Sequence, residues 1–244
     1  MPLVHFDAKP SARGKKMRRL ANINCLEVTA DDPSNNQDLL ILFHGYGADA
    51  YDLQTLSEAL HPPRPTDFLF PQGPLEVPIG PGWTGRAWWN INMAALQEAN
   101  AKNSARELGN EYPEGLKKIR PQILKMIKEA RIPWNKVILG GFSQGAMLAT
   151  DIFLNAPETP KGLIIFSGAL VSQDEWKPLI ANRKGSQFFQ SHGQGDAVLS
   201  FRNAQQLETL LTQGGMKGKL IPFSGGHEIP LQIIQKADQY LKQI

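Results

Sequence analysis

Residues 137–155 read VILGGFSQGAMLATDIFLN and carry the strongest local signal in this chain. The apolar run that begins at Val137 is typical of a strand buried on both faces, and residues 144–155 are apolar almost all round, as in a buried helix. Gly141 and Gly145 flank Ser143 at two positions on either side, where a side chain would collide with neighbouring backbone in a sharp turn. The pattern predicts a serine hydroxyl presented above a sheet at the N-terminus of a helix.

Short apolar runs alternate with helix-period segments along the rest of the chain, which is the βαβ pattern. The other strand candidates are 39–43 (LLILF), 163–166, 188–189 with their flanks, and 220–223. The helix candidates are 52–60, 114–130, 144–155, 201–212 and 230–243, with Pro121 expected to kink the second or start its second half. These elements predict a three-layer α/β/α fold around a mostly parallel sheet. Residues 71–113 carry little strand signal, and we interpret them as an excursion from the sheet that roofs a site.

Composition is that of one soluble globular domain: 244 residues, 41% hydrophobic, 20% charged, with a net charge of +3. Much of the positive excess lies near the N-terminus, at Lys9, Arg13, Lys15, Lys16, Arg18 and Arg19. No aromatic residue interleaves these charges to stack on bases, so a solvated extension over residues 1–22 is favoured over a nucleic-acid site. The domain proper is then expected over residues 23–244.

A single cysteine, Cys25, excludes an intramolecular disulfide and a thiolate metal cluster, and its apolar surroundings favour a core position. The N-terminus lacks the apolar region of a secretory signal, and no stretch is long enough to span a bilayer. We therefore expect a cytoplasmic protein without stable membrane insertion.

A serine hydroxyl needs a base to take its proton before it becomes a good nucleophile. Two histidines follow Ser143: His192 begins HGQGD at 192–196, and His227 ends SGGH at 224–227. Each comes directly after an apolar strand, at the carboxyl edge where open α/β sheets place their sites. If the chain order is nucleophile, acid, histidine, and Asp196 is the acid, then His227 is the base and His192 is structural.

Two other carboxylates compete with Asp196 for the role of acid. Glu228 is adjacent to His227, and neighbouring side chains rarely orient each other, whereas Asp174 lies in a polar loop between strands. Asp196 follows a glycine-rich turn and precedes an apolar step, which suits a buried carboxylate that fixes the imidazole tautomer.

The loop after the strand at 39–43 reads HGYGAD at 44–49 and can turn a backbone N–H toward a substrate carbonyl oxygen. We nominate the amides of Tyr46 and Gln144 as the two donors of an oxyanion hole. His44 is expected to brace this loop rather than act as a base.

Together these motifs resemble the phospholipase/carboxylesterase family of α/β-hydrolases. The resemblance covers about residues 38–242 and rests on HGYGAD, FPQGP at 70–74, RAWW at 86–89, GFSQG, HGQGD and GGH at 225–227, all in the family's order. It implies Ser143, Asp196 and His227 as the triad, Tyr46 and Gln144 as oxyanion donors, and an acyl pocket near Trp88 and Trp89. The chain departs from the family pattern at Asn90, where Asp is common, and at Leu199, where Pro is usual.

We therefore expect a serine carboxylesterase that hydrolyses short-to-medium acyl carboxylic esters through an acyl-enzyme, with no cofactor and no metal. An acyl-protein thioesterase or lysophospholipase acting on long acyl chains is the alternative within the same chemistry. Trp83, Trp88 and Trp89 could line a long acyl channel or pack in the core, and large aromatics are usually packing residues. A non-catalytic binder on a hydrolase scaffold is the alternative from another class. The expected partner is a small-molecule ester, not nucleic acid, and the sequence leaves a homodimer open.

Overall fold

The strand order of the central sheet places the Ser143 turn near its middle. A computed structural model describes residues 13–30, 37–91 and 113–244, and within them eight strands form one sheet in the order β1-β2-β4-β3-β7-β8-β9-β10. Strands β1 and β2 and strands β2 and β4 pair antiparallel, and every other neighbouring pair is parallel. The bounds are β1 Lys15–Leu20, β2 Ile23–Val28, β3 Asp38–Phe43, β4 Thr66–Pro71, β7 Val137–Phe142, β8 Gly162–Phe166, β9 Gln187–Gly193 and β10 Lys217–Phe223.

Helices cover both faces of this sheet. They are α1 Leu56–Ala59, α2 Glu114–Ala130, α3 Gln144–Asn155, α4 Gln173–Ile180, α5 Phe201–Gln213 and α6 Leu231–Leu241. Apolar side chains of α2, α3, α4 and α5 share one core cluster, and those of α1 and α6 share a second. The expected α/β/α layers around a mostly parallel sheet are therefore confirmed.

Strand β3 shows why an uninterrupted apolar run is needed at the centre of the sheet. Its alternate residues Leu39, Ile41 and Phe43 enter the first core cluster, whereas Leu40 and Leu42 enter the second. Because successive side chains of a strand point to opposite faces, a strand covered by helices on both sides has no solvent-facing position.

The basic segment near the N-terminus takes part in the sheet from Lys15 onward. Strands β1 and β2 form a hairpin whose two turn residues, Ala21 and Asn22, have φ values of 46° and 64°, as a two-residue turn of type I′ requires. Arg18 and Lys16 form ion pairs with the buried Glu27 on β2. A boundary after residue 22 would cut this hairpin, so we propose that the domain begins by Lys15.

Residues 71–91 contain strands where the sequence indicated little strand signal. Strands β5 (Leu75–Gly80) and β6 (Trp83–Ala87) pair antiparallel in a separate two-stranded sheet, with a register shift between Pro78 and Gly80. That expectation was wrong because proline and glycine within these strands mask the period-two pattern. Residues 92–112 of the expected excursion lie outside the described residues.

The helix predictions are confirmed with three differences, the first of which is helix α4 (Gln173–Ile180), where a polar loop around Asp174 was expected. Helix α1 spans only Leu56–Ala59, since residues 51–55 form turns, and α2 continues through Pro121 as one helix rather than starting anew there. Cys25 is fully buried in the core, as expected.

Candidate active site

Ser143 occupies a strained turn between β7 and α3. Its backbone has φ 55° and ψ −119°, a conformation that non-glycine residues rarely adopt and that is concentrated at functional sites. Its N–H donates to the carbonyl of Phe166 on β8 over 2.9 Å, which holds the turn against the sheet.

The two glycines of the turn are required by close backbone approach. A Cβ atom on Gly145 would lie 2.0 Å from the carbonyl oxygen of Phe43, and one on Gly141 would lie 2.4 Å from the carbonyl carbon of Gly145. Real Cβ atoms do not approach other atoms so closely. The steric explanation given for the glycine spacing therefore holds in the folded chain.

Asp196 and His227 meet because the strands that precede them, β9 and β10, are parallel neighbours. The Nδ1–H of His227 donates to Oδ2 of Asp196 over 2.6 Å. The other carboxylate oxygen, Oδ1, accepts the amide N–H groups of Val198 and Leu199 at 2.8 and 2.9 Å. Carboxylate and imidazole are thus fixed relative to each other.

Hydrogen bonds stabilise the negative charge of Asp196. Burial by itself raises the pKa of this carboxyl, but hydrogen bonds from His192, His227 and the amide of Leu199 outweigh burial and hold the pKa well below its usual range. Asp196 is therefore an anion throughout the physiological pH range and can stabilise a positive charge on His227.

The imidazole of His227 lies beside the Ser143 turn. Its ring centroid is 4.7 Å from that of Phe142, the residue that immediately precedes Ser143. The side chain of His227 is 17% exposed. With Nδ1 bound to Asp196, Nε2 is the nitrogen that remains available to a serine hydroxyl or to substrate.

The competing candidates either have other hydrogen-bond partners or are exposed to solvent. Oε1 of Glu228 accepts the amide N–H of Gly226, and Asp174 is exposed in the first turn of α4. His192 is fully buried, with Nε2 2.9 Å from the carbonyl oxygen of Leu199. This burial fits the structural role expected for His192.

The loop at residues 44–48, here called the oxyanion loop after its expected role, lies directly against Ser143. A Cβ atom on Gly45 would be 3.4 Å from the Cβ of Ser143. The loop is paired with β6, because the N–H of Gly47 donates to the carbonyl of Arg86 and the N–H of Arg86 donates to that of Ala48, each over 2.8 Å. Within the described part of the chain, the N–H groups of Tyr46 and Gln144 donate to no backbone carbonyl.

His44 braces this loop from inside. Its Nδ1–H donates to the carbonyl of Gly45 over 2.8 Å, and its Nε2 accepts the N–H of Gly73 over 2.9 Å. Burial lowers the pKa of His44 to about 4. The ring is therefore neutral at physiological pH and has no free nitrogen, so it cannot serve as a base without breaking the brace.

The side chain of Gln144 makes two hydrogen bonds that were not predicted, since the sequence indicated a role only for its backbone amide. Its Oε1 accepts the N–H of Trp88 over 3.0 Å, and its Nε2–H donates to the carbonyl of Trp89 over 2.7 Å. The indole N–H of Trp88 donates in turn to the carbonyl of His44. The RAWW segment thus ties the residue after Ser143 to the oxyanion loop, and no sequence signal points to that contact.

The two tryptophans of that segment are buried. Trp88 and Trp89 are 2% and 4% exposed and belong to a core cluster, whereas Trp83 at the β5–β6 turn is 73% exposed. Burial favours the packing role over a channel lining for the first two, and their assignment to substrate binding stays a prediction.

The described residues contain neither a metal-binding cluster nor a membrane-spanning helix. No group of three or more His, Cys, Asp or Glu side chains in residues 13–30, 37–91 and 113–244 could hold a metal ion. Over the same residues, no helix is long and apolar enough to cross a membrane.

The chain is similar in sequence and in fold to known esterases and thioesterases. The model of the phospholipase/carboxylesterase family matches residues 24–244. Acyl-protein thioesterase 1 of Candida albicans is 26% identical over 91% of this chain and 98% of its own length, and that of Eremothecium gossypii is 26% identical over 83% and 86%. Among solved structures, Bacillus cereus carboxylesterase superposes with a TM-score of 0.71 at 18% identity, covering 90% of this chain and 93% of its own. Esterase PE8 superposes with a TM-score of 0.67 at 23% identity, covering 95% and 99%. This chain therefore belongs to the phospholipase/carboxylesterase family and is a carboxylic-ester hydrolase of the α/β-hydrolase fold.

Proposed function

We propose that the protein is a serine carboxylesterase that cleaves short-to-medium acyl esters with Ser143 as nucleophile, His227 as base and Asp196 as the orienting acid. One observation carries the proposal: the 2.6 Å bond between His227 and Asp196 lies beside a serine in strained backbone geometry. Backbone strain at Ser143 lowers stability, and strained residues are concentrated at active sites, which supports a catalytic role for this serine.

In the first half-reaction, Oγ of Ser143 forms a bond to the ester carbonyl carbon while its proton passes to Nε2 of His227. The carbonyl oxygen becomes an oxyanion, which the amides of Tyr46 and Gln144 stabilise at the N-terminus of α3. The bond to the leaving oxygen or sulfur then breaks, and that atom takes the proton from His227. An acyl-serine and a free alcohol or thiol result.

In the second half-reaction, a water molecule gives its proton to His227 and attacks the acyl-serine carbonyl. The bond to Oγ of Ser143 breaks, the oxygen regains its proton from His227, and the carboxylic acid leaves. Asp196 stays ionised throughout, because its hydrogen bonds favour the anion, and it keeps the proton of neutral His227 on Nδ1.

Replacement of Ser143 by alanine tests the proposal. We expect S143A to lose about 10⁴-fold or more in kcat for p-nitrophenyl butyrate while its unfolding free energy stays close to wild type, because only one hydroxyl is removed. Ester hydrolysis that persists in S143A would show that another group is the nucleophile.

A second candidate keeps this chemistry but acts on long acyl chains, as an acyl-protein thioesterase or a lysophospholipase. It is favoured by apolar side chains exposed near the oxyanion loop: Ile79 and Trp83 are 52% and 73% exposed, and Ile79 lies close to Gly47. Relatives that bear the name acyl-protein thioesterase 1 point the same way.

A series of p-nitrophenyl esters from C2 to C16 separates the two candidates. We expect kcat/KM to be highest between C2 and C6 for the first candidate, and a maximum at C12 or longer would favour the second. The variant W83S sharpens the comparison, since it should lower only the long-chain rates if Trp83 receives the acyl chain.

A further inference from the structure

A second histidine, His192, lies against Asp196 and takes no part in the proposed reaction. We propose that His192 is a positioning residue, which holds the acid in place and limits how strongly Asp196 supports positive charge on His227. This inference rests on the proposed function, because it assigns His192 an effect on the base of that same site.

The proton of His192 can be located from its contacts. Its Nε2 lies 2.9 Å from the carbonyl oxygen of Leu199 and 3.2 Å from Oδ2 of Asp196. Both neighbours are acceptors, so Nε2 bears the hydrogen. Nδ1 is buried and has no hydrogen-bond partner within the described residues. A hydrogen on Nδ1 would be a buried donor without a partner, so His192 acts as a donor through Nε2.

The contacts of His192 close a ring around the acid. The amide of Leu199 donates to Oδ1 of Asp196, and its carbonyl accepts from His192, which also reaches Oδ2. The acid is therefore held at Oδ1 by the loop that follows it and lies at Oδ2 beside His192 of strand β9. Because the side chains of His192 and Asp196 are fully buried, the low dielectric strengthens each of these bonds.

The second consequence concerns Oδ2, which accepts from Nδ1–H of His227 over 2.6 Å and also lies 3.2 Å from Nε2 of His192. An oxygen shared between two donors attracts each of them less than it would attract one alone. Without the donor of His192, Oδ2 would interact with His227 alone and would stabilise its imidazolium more strongly, which raises the pKa of His227. With a higher pKa the imidazole becomes protonated at a higher pH and can no longer act as a base there. The acidic limb of the kcat/KM profile therefore moves to higher pH.

The other groups around His227 do not reproduce this effect. On its own loop, Glu228 directs Oε1 to the amide of Gly226. From the side of β7 the neighbour is the uncharged ring of Phe142, and from β8 the hydroxyl of Ser167 approaches the backbone carbonyl of Glu228 over 3.4 Å. Among these neighbours, the ionisable groups in contact with the acid–base pair are the two histidines and Asp196 themselves.

The test compares H192F, which removes the donor, with H192Q, whose amide can place an N–H where Nε2 stood. We measure kcat/KM for p-nitrophenyl butyrate from pH 5 to 9. In H192F the acidic midpoint should rise by about 0.5 to 1 pH unit and kcat should fall about 10-fold. In H192Q the midpoint should stay within about 0.2 pH unit of wild type.

Phe201 offers a matched control, because its ring packs 6.2 Å from that of His192. F201L alters this packing but removes no donor, so its midpoint should equal that of wild type. If H192F does not fold, H192N replaces it, since an asparagine amide reaches only the place of Nδ1 and should give the same rise.

Two results would overturn the inference: a wild-type midpoint in both H192F and H192N, or an equal rise in F201L. Either would leave His192 as a packing residue while S143A remained inactive. Activity that persists in S143A would instead refute the proposed function, so the two failures can be told apart.

Discussion

Two histidines at the carboxyl edge of the same sheet are held in opposite ways. His44, in the oxyanion loop, is buried and has a partner on each ring nitrogen, and burial lowers its pKa to about 4. His227, after β10, has a partially exposed side chain and is fixed through Nδ1 to a carboxylate. The first ring is fixed through both nitrogens, whereas the second is fixed to the acid through Nδ1.

The difference separates two requirements of ester hydrolysis. The groups that stabilise an oxyanion act best when they are already oriented and do not move during the reaction. The group that carries the proton must change charge twice in each turnover, and it needs a pKa near the working pH. In the proposed mechanism, the hydrogen bonds around His44 meet the first requirement, and His227, held by Asp196, is the group that carries the proton.

The largest expected effect comes from His227. H227Q should lower kcat by about 10⁴-fold with little change in KM, because the proton acceptor is lost while substrate contacts remain. Steady-state kinetics on p-nitrophenyl butyrate checks this, with urea unfolding to confirm an intact fold. A loss of less than 10-fold would mean that His227 is as structural as His44.

The next effect is a pH dependence of the unfolding free energy that arises from His44. Its pKa falls from the ordinary value of 6.5 to about 4, so between these values only the unfolded chain binds a proton at this residue. The contribution of neutral His44 to the unfolding free energy is complete above pH 6.5, and about 3 kcal/mol of it is lost as the pH falls from 6.5 to 4.

The variant H44Q measures this contribution, because its side-chain oxygen can still accept the N–H of Gly73 but does not titrate. Urea unfolding at pH 7.5 and 4.5 should show wild type more stable at the first pH and the advantage reduced or reversed at the second. The same advantage at both values would contradict a buried neutral His44.

A smaller effect is expected at the link between the two regions. Q144L removes both side-chain hydrogen bonds to the RAWW segment but keeps the backbone amide that we propose as an oxyanion donor. We expect kcat to fall about 10-fold and the unfolding free energy to fall by about 2 kcal/mol. Unchanged kcat with reduced stability would show that the link supports the fold alone.

The smallest effect is expected next to the proposed base. E228Q keeps an oxygen for the amide of Gly226 and removes one negative charge, so kcat/KM should change less than about twofold. D196N is the matched comparison and should lose about 10⁴-fold, because it favours the wrong tautomer of His227. If E228Q behaved like D196N, the orienting acid would be Glu228.

How well each feature could be predicted from the sequence depends on whether its residues are adjacent in the chain. Strand β7, the Ser143 turn and helix α3 are adjacent in the chain, so their pattern and glycine spacing predicted them. Strand β1 was missed because an edge strand buries little, and the charges of KKMRRL resemble a solvated segment. Its turn also has Ala21 and Asn22 in place of the usual glycine.

Contacts between distant residues were harder to foresee. Chain order suggested that Asp196 and His227 meet, because both follow strands of a parallel sheet. The bonds from Gln144 to the RAWW segment and from His192 to Asp196 depend on tertiary packing, and a single glutamine or histidine carries no local pattern. Both residues were nominated, but the contacts of their side chains emerged from the structure.

Covalent labelling tests the central claim, that Ser143 is the nucleophile activated by His227, most directly. Wild type treated with a fluorophosphonate should gain one adduct by intact-mass spectrometry, located on the peptide that contains Ser143. H227Q should label far more slowly and S143A not at all. An adduct on another residue, or labelling of S143A at the wild-type rate, would contradict the account.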